Sequence, residues 1–273
     1  MVDFAEPPVD EVALAVHFEP LVGLRAVHLG GLWAKWRDRF PLVEEHPPLP
    51  PLAPEVPHPK PSAVSIEVVQ DVPHPRSWFL NAGGSELVQF QRDRLVHNWR
   101  RTAPGDPYPH YDSLRPTFER NLHDLVEFLE EEGLEPMRPV QCELTYANPI
   151  PPADLGPARR LSTLIAPWSD RYSGDLLPDA DDVRFLARYS IRDPDGDWAG
   201  RLHVNVQPMH RLEPVPDLPE EVVMLQVFAR GAPRGKGIEG ILAFLDLGHE
   251  WVVNGFLAVT TTEMQRRWGR TDV

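Results

Sequence analysis

Cysteine is almost missing from this chain: Cys142 is the only one in 273 residues. No intrachain disulfide can form, and no cysteine-based zinc site can be assembled. Lysine is nearly as scarce. Of 27 basic residues only Lys35, Lys60 and Lys236 are lysines. Arginine dominance beside 32 prolines reads as coding bias as much as physical adaptation. No run of about 18 apolar residues occurs, so no transmembrane helix and no membrane contact are expected. The opening Met1-Val2-Asp3-Phe4-Ala5-Glu6 lacks the basic and apolar regions of a signal peptide. A cytoplasmic protein is the expectation. Positive charge is also short. The net charge is −14, with 12 basic and 22 acidic residues through position 135 and 15 and 19 beyond it. Such a surface repels nucleic-acid phosphates and suits solubility or a basic protein partner.

What is present begins with an echo. Leu29, Leu32, Trp33 and Trp36 line up with Leu161, Leu164, Ile165 and Trp168 at a constant offset of 132. Both stretches close alike, Trp36-Arg37-Asp38-Arg39-Phe40 against Trp168-Ser169-Asp170-Arg171-Tyr172. The spacing i, i+3, i+4, i+7 is one face of a helix. The echo predicts a tandem duplication, with one repeat over 1–136 and a second over 137–273.

In the first repeat, residues 12–18 read as a strand and 25–39 as a helix. Residues 41–61 carry nine prolines, so regular structure is not expected there. The segment reads as a stiff polyproline connector, with an SH3-type ligand as the alternative. Strands are predicted at 65–70, 77–80 and 86–99. The glycines of Asn81-Ala82-Gly83-Gly84 supply a hairpin turn, and Arg92-Asp93-Arg94 marks a bulge. A helix spans 114–132, capped by Ser113 and ended by Gly133. The second repeat predicts a strand at 141–146, a helix at 156–168, strands at 183–191, 201–208 and 221–230, and a long helix at 238–257. A short helix follows from a capping box, Thr260 with Glu263. Strand, helix, three strands, helix in each half predicts an α+β fold: antiparallel curved sheet with helices on one face. By analogy the order resembles tandem saddle-shaped folds such as the TATA-box-binding protein, or helix-grip folds.

Alternation then sorts side chains by face. Arg184, Arg188 and Ser190, then His203, Asn205 and Gln207, then Gln226 and Arg230, fall opposite the apolar positions of the second-half strands. Arginines and amides there can hold a carboxylate, a phosphate or a peptide backbone. An open antiparallel sheet has a solvated face in any case, which is the plainer account. The first half offers Arg92, Arg94, Asn98 and Arg100 around Trp99, where an Arg over the indole competes with an Arg–Asp93 surface pair.

Other motifs fail on spacing. Gly231 to Gly237 lacks the four-residue gap and the Ser/Thr of a phosphate loop. Asp193 to Asp197 has Trp198 and Val204 where a calcium loop needs Gly and Glu, and reads as a tight hairpin. His249-Glu250 is followed by Val253 at the zinc-ligand position. Ser85 sits in no nucleophile elbow. No catalytic residue, metal ligand or cofactor is nominated.

Phe18-Glu19-Pro20, Phe40-Pro41, Gln91-Arg92-Asp93-Arg94 with Asn98-Trp99-Arg100, and Thr261-Thr262-Glu263-Met264 with Trp268-Gly269-Arg270 resemble an uncharacterised, sporadically distributed bacterial protein family. The likeness spans nearly the whole chain. It implies no known activity; patchy occurrence implies mobile genes and a defence-related setting. The expectation is therefore a non-catalytic interaction protein, antitoxin-like or a defence accessory, binding a protein partner. The alternative is a sensor or enzyme that clamps a small anion with Arg184, Arg188, His203, Asn205 and Arg230.

Overall fold

The computed structural model describes residues 3–57, 75–103, 105–156, 160–169, 180, 183–211 and 220–271. The first half runs β1 (Asp3–Phe4), β2 (Glu11–Phe18), α1 (Leu29–Trp36), β3 (Leu42–His46), β4 (Arg76–Leu80), β5 (Glu86–Gln91), β6 (Arg94–Arg100) and α2 (Tyr111–Glu131). The second runs β7 (Pro139–Ile150), α3 (Leu161–Leu164), β8 (Phe185–Arg192), β9 (Trp198–Arg211), β10 (Glu220–Gly231), α4 (Gly237–Val259), α5 (Thr262–Arg267) and β11 (Arg270–Thr271).

Nine strands form one antiparallel sheet in the order β3-β4-β5-β6-β2-β7-β10-β9-β8. The two halves meet at β2 and β7, where Leu14 pairs with Leu144. β1 and β11 form a separate pair that joins the two ends of the chain. Register makes the layering explicit. Val43, Phe79, Val88, His97, Leu14, Leu144, Ala229, Leu202 and Tyr189 form one row across all nine strands. Phe79, Val88, Leu14, Leu144, Ala229 and Leu202 are buried, because α2 and α4 cover this face. Gly248 and Gly255 let α4 approach closely; a Cβ at Gly255 would lie 2.4 Å from Leu202. By length and composition α4 could cross a membrane, yet Ile241, Phe244, Leu245 and Val252 are buried in this core.

Several expectations change. The strand predicted at 65–70, and Asp170-Arg171-Tyr172 of the echo, lie outside the described residues. The 41–61 segment does carry regular structure: β3 pairs along β4. Pro41 and Pro47 flank this strand without interrupting it, and it is an edge strand among the described residues. Arg92-Asp93-Arg94 is no bulge. Gln91 pairs with Arg94, so Arg92-Asp93 is a two-residue hairpin turn between two separate strands. Among the described residues, four strands follow α1 in the first half, and the single strand predicted over 86–99 is two, β5 and β6. The first helix is shorter than predicted, with a 3-10 turn at Ala26–His28 leading into α1. Its echo is a single helical turn, α3. α2 starts a turn early, with His110 and not Ser113 at its N-cap. The last helix is capped by Thr261, whose side chain accepts from Met264 N at 3.3 Å; Thr260 donates back to Phe256 O at 2.7 Å.

Between α1, α2 and β6 lies a polar cluster. Arg39 ion-pairs with Asp124 and donates to Asn121 Oδ1 at 2.7 Å. Asn121 sits 3.4 Å from His97 Nδ1. His97 is fully buried, and burial pushes its pKa down to about 3, with the Arg39 charge adding to the effect. The folded chain therefore holds His97 neutral, while the unfolded chain protonates it near pH 6.5. Below that pH the unfolded state binds the extra proton, so stability falls until the folded form also protonates near pH 3. Glu11 and Glu86, raised by burial, push the opposite way. The informative readout is thus the stability difference between wild type and His97→Gln. That difference should shrink between pH 6.5 and 4 by a factor of roughly ten in the folding constant per pH unit. A pH-independent difference in paired denaturant titrations contradicts this account.

Candidate functional site

The face away from the helices collects the predicted polar residues. Arg188, His203, Phe228, Thr145, Ala13 and Asn98 form one row across it. Leu186, Asn205, Gln226, Ala147, Glu11 and Arg100 form the next. Arg201, Arg230 and Glu143 share a third, and Arg94, His17 and Gln141 a fourth. Gln207 lies beside Met224 on the same face. Nine of the eleven nominated residues therefore share one surface. Arg92 is in the hairpin turn and Arg184 just precedes β8.

The proline-rich segment crosses this face as a strap. Gln91 holds Leu49 at both ends, accepting from its N–H and donating to its carbonyl, each at 2.9 Å. Arg94 donates to Pro50 O at 2.6 Å while its guanidinium engages both oxygens of Asp93. Further along, Glu55 N donates to Gln141 Oε1 at 2.7 Å. The Glu55 carboxylate meets His203 Nε2 at 2.8 Å and lies 3.2 Å from Arg201 Nε. Arg201 also donates to Val56 O and Pro57 O. The strap runs from β5 to β9. From Leu49, held by Gln91, to Pro57, held by Arg201, the chain at about 3.1 Å per residue reaches about 25 Å, close to the roughly 24 Å of five strand spacings. Proline keeps the segment extended and withholds amide donors, so the sheet binds it through its carbonyls and the few amides it has.

The strap and the sheet itself occupy much of the nominated set. Asn98 donates to Glu11 Oε1 at 2.5 Å and accepts from Gln89 at 2.8 Å. Arg100 donates to Gly84 O and Arg92 to Leu21 O and Val22 O. Arg230 pairs with Glu143 at 2.6 Å. His203 also stacks on Phe228, the rings 4.5 Å apart; burial lowers its pKa although Glu55 opposes this. Under the strap, burial pushes His17 down to about 4. The flank toward β8 differs. The side chains of Arg188, Asn205 and Gln226 have no hydrogen-bond partner among the described residues, and that of Gln207 meets only Met209 Sδ at 3.7 Å. Leu186 is 73% exposed and Met209 40%. A groove of about 420 Å³ continues this flank past Met209, Val222, Met224 and Pro149 to Arg100.

A second concavity, of about 280 Å³, opens on the helix side. It lies between the N-terminal segment, the start of α2, β7, β10 and α4, and the sequence reading missed it. Tyr108 Oη donates to Tyr146 Oη at 3.2 Å, and Tyr146 Oη lies 3.0 Å from His249 Nδ1. The Tyr146 hydroxyl, accepting from Tyr108, has its own hydrogen to donate to Nδ1 when the neutral His249 ring carries its proton on Nε2. Burial lowers the His249 pKa, which keeps the ring neutral. Tyr111 stacks on His249 at 4.2 Å, nearly parallel, and donates to Asp246, which Arg115 also holds. Burial raises the Tyr111 and Tyr146 phenols. His110, at the lip, has φ of +59°, a conformation that a non-glycine residue seldom takes.

No protein-family model matches this chain, and no curated protein is detectably similar to it. Among the described residues, no group of three or more His, Cys, Asp or Glu side chains is placed to hold a metal ion. Cys142 is buried, and burial raises its thiol pKa, the opposite of what a reactive thiolate needs. The open face offers groups for directed hydrogen bonds beside the exposed apolar side chains of Leu186 and Met209.

Proposed function

We propose that the protein is a non-catalytic binding protein that docks a protein partner on the open sheet face beside the strap, over β8, β9 and the adjoining end of β10. One observation carries this reading. The side chains of Arg92, Arg94, Asn98 and Arg100 in the first half are held by the chain itself, whereas those of Arg188, Asn205 and Gln226 have no hydrogen-bond partner among the described residues, next to exposed Leu186 and Met209. Amides and an arginine beside apolar anchors suit a peptide backbone and its side chains. β8 pairs only with β9 among the described residues, so its outer edge can receive an extended segment. The net charge of −14 favours a basic partner. An antitoxin-like or defence accessory role is the setting that the family resemblance suggests. The small-anion clamp is the weaker reading, because His203 already faces Glu55 and Arg230 already faces Glu143.

The same proposal includes the tandem duplication. Adding 132 carries β2 onto 143–150 within β7, α1 onto 161–168 at α3, and β6 onto 226–232 at β10. Outward from the β2–β7 junction the strands read β6-β5-β4 on one side and β10-β9-β8 on the other. In this reading the strap is the first repeat's own insertion, which covers the middle of the shared face and leaves the second repeat's flank open.

The test is capture of the tagged full chain from its native host with its neighbouring genes, beside the Leu186→Asp/Arg188→Glu double variant. Wild type should retain a stoichiometric basic protein, and the variant should lose it at least about tenfold with an unchanged melting temperature. Equal capture by both chains, or a retained small anion with no protein, contradicts the proposal. Any nucleic acid retained should leave at modest salt.

A further inference from the structure

We propose that the helix-side cavity binds a small organic cation, a quaternary ammonium group seated among the rings of Tyr108, Tyr146 and Phe256. The site is separate from the open face, and its success or failure is independent of the partner proposal. No Lys or Arg lines the cavity; its one carboxylate, Asp112, is exposed at the mouth. An anion would find no cationic partner there. Asp112 forms no ion pair among the described residues, so its charge is available to a ligand.

A wholly apolar ligand fits poorly too. Asn148 is 3% exposed and lines the cavity. Its amide nitrogen is directed to Leu225 O at 3.0 Å and lies 3.5 Å from Tyr146 O. Its Oδ1 accepts no hydrogen bond among the described residues and is not sealed from accessible space, so it is an acceptor that a ligand or water can meet. The remaining walls combine the rings of Phe4, Tyr108, Tyr146 and Phe256 with aliphatic prolines and valines. Tyr108 and Tyr146 meet edge to face at 6.4 Å, and Phe4 and Phe256 do so at 5.7 Å. Ring faces attract a desolvated cation, and methylated ammonium groups are the cations that such rings hold best, since they carry charge without demanding hydrogen bonds. The hydroxyl relay from Tyr108 through Tyr146 to neutral His249 fixes the rings and adds no positive charge. A volume of about 280 Å³ falls just below that of drug-sized pockets, which limits the ligand to a small molecule.

The experiment is calorimetric titration of the full chain with choline, with its uncharged carbon isostere 3,3-dimethyl-1-butanol, and with acetate. Choline should bind at least about tenfold tighter than the isostere, and acetate should give no heat. Tyr108 is only half-buried and Asp112 exposed, so both positions tolerate change. Tyr108→Leu should weaken choline about tenfold, and Asp112→Asn severalfold, with the fold retained by circular dichroism. Equal affinity for choline and its isostere overturns the proposal. So does choline binding that neither variant weakens, or no binding of choline at concentrations up to about 10 mM.

Discussion

Glu55→Ala should destabilise the protein by about 3 kcal/mol, although residue 55 lies in a proline-rich segment outside any helix or strand. The side chains of Glu55, Arg201 and His203 are 13%, 12% and 7% exposed. Removing the carboxylate leaves a buried imidazole without its hydrogen-bond partner and a buried guanidinium without its counter-charge, and breaking one side of a buried pair costs about 3–5 kcal/mol. The residual exposure places the estimate at the lower end. The loss should also have a location. The amides of Leu49 and Glu55, which donate to Gln91 and Gln141, should exchange hydrogen faster. Amides of the β2–β7 junction should slow or hold their protection relative to them. Glu55→Gln keeps an acceptor for His203 and should lose less. A neutral Glu55→Ala substitution, or faster exchange spread evenly over the sheet, contradicts the strap's anchoring role.

Trp36→Ala should be the most damaging single change, by about 3–5 kcal/mol and roughly 10 °C in melting temperature. Trp36 is fully buried. Its ring meets Phe79 of β4 edge on, with centroids 5.4 Å apart, and its Nε1 donates to Asp124 Oδ2 of α2 at 3.1 Å. One side chain therefore joins α1, α2 and the sheet. Trp36→Phe keeps the ring contact and gives up the hydrogen bond. It should recover more than half of the loss. Thermal melts of the three chains check this, and a cost below about 1 kcal/mol for the alanine chain contradicts it.

Much of the open face was legible because a strand alternates with period two. Once 201–208 and 221–230 read as strands, the shared face of His203, Asn205, Gln226 and Arg230 followed, and the pairing register places them together. The strap was not legible in the same way. Nine prolines state that the chain is extended there; they carry no information about which surface it lies on. That information sits in Gln91, Gln141 and Arg201, distant in sequence and unremarkable alone. The Arg92-Asp93 turn escaped because it has no glycine to announce it. The helix-side cavity was invisible for a different reason: Tyr108, Tyr146 and His249 come from a loop, a strand and a helix, and no spacing rule connects them. Where the echo of the first helix shrinks to one turn, local propensity gave no warning, since Leu161 and Leu164 are buried as predicted.

The most direct test of the account is hydrogen-exchange mass spectrometry on the captured complex against the free protein. A partner docked beside the strap should protect β8, from Phe185 to Arg192, and the facing part of β9, while α2 and α4 exchange as before. Protection confined to the helix layer, or none at β8 with the partner bound, would contradict the assignment of the open second-half face as the binding surface.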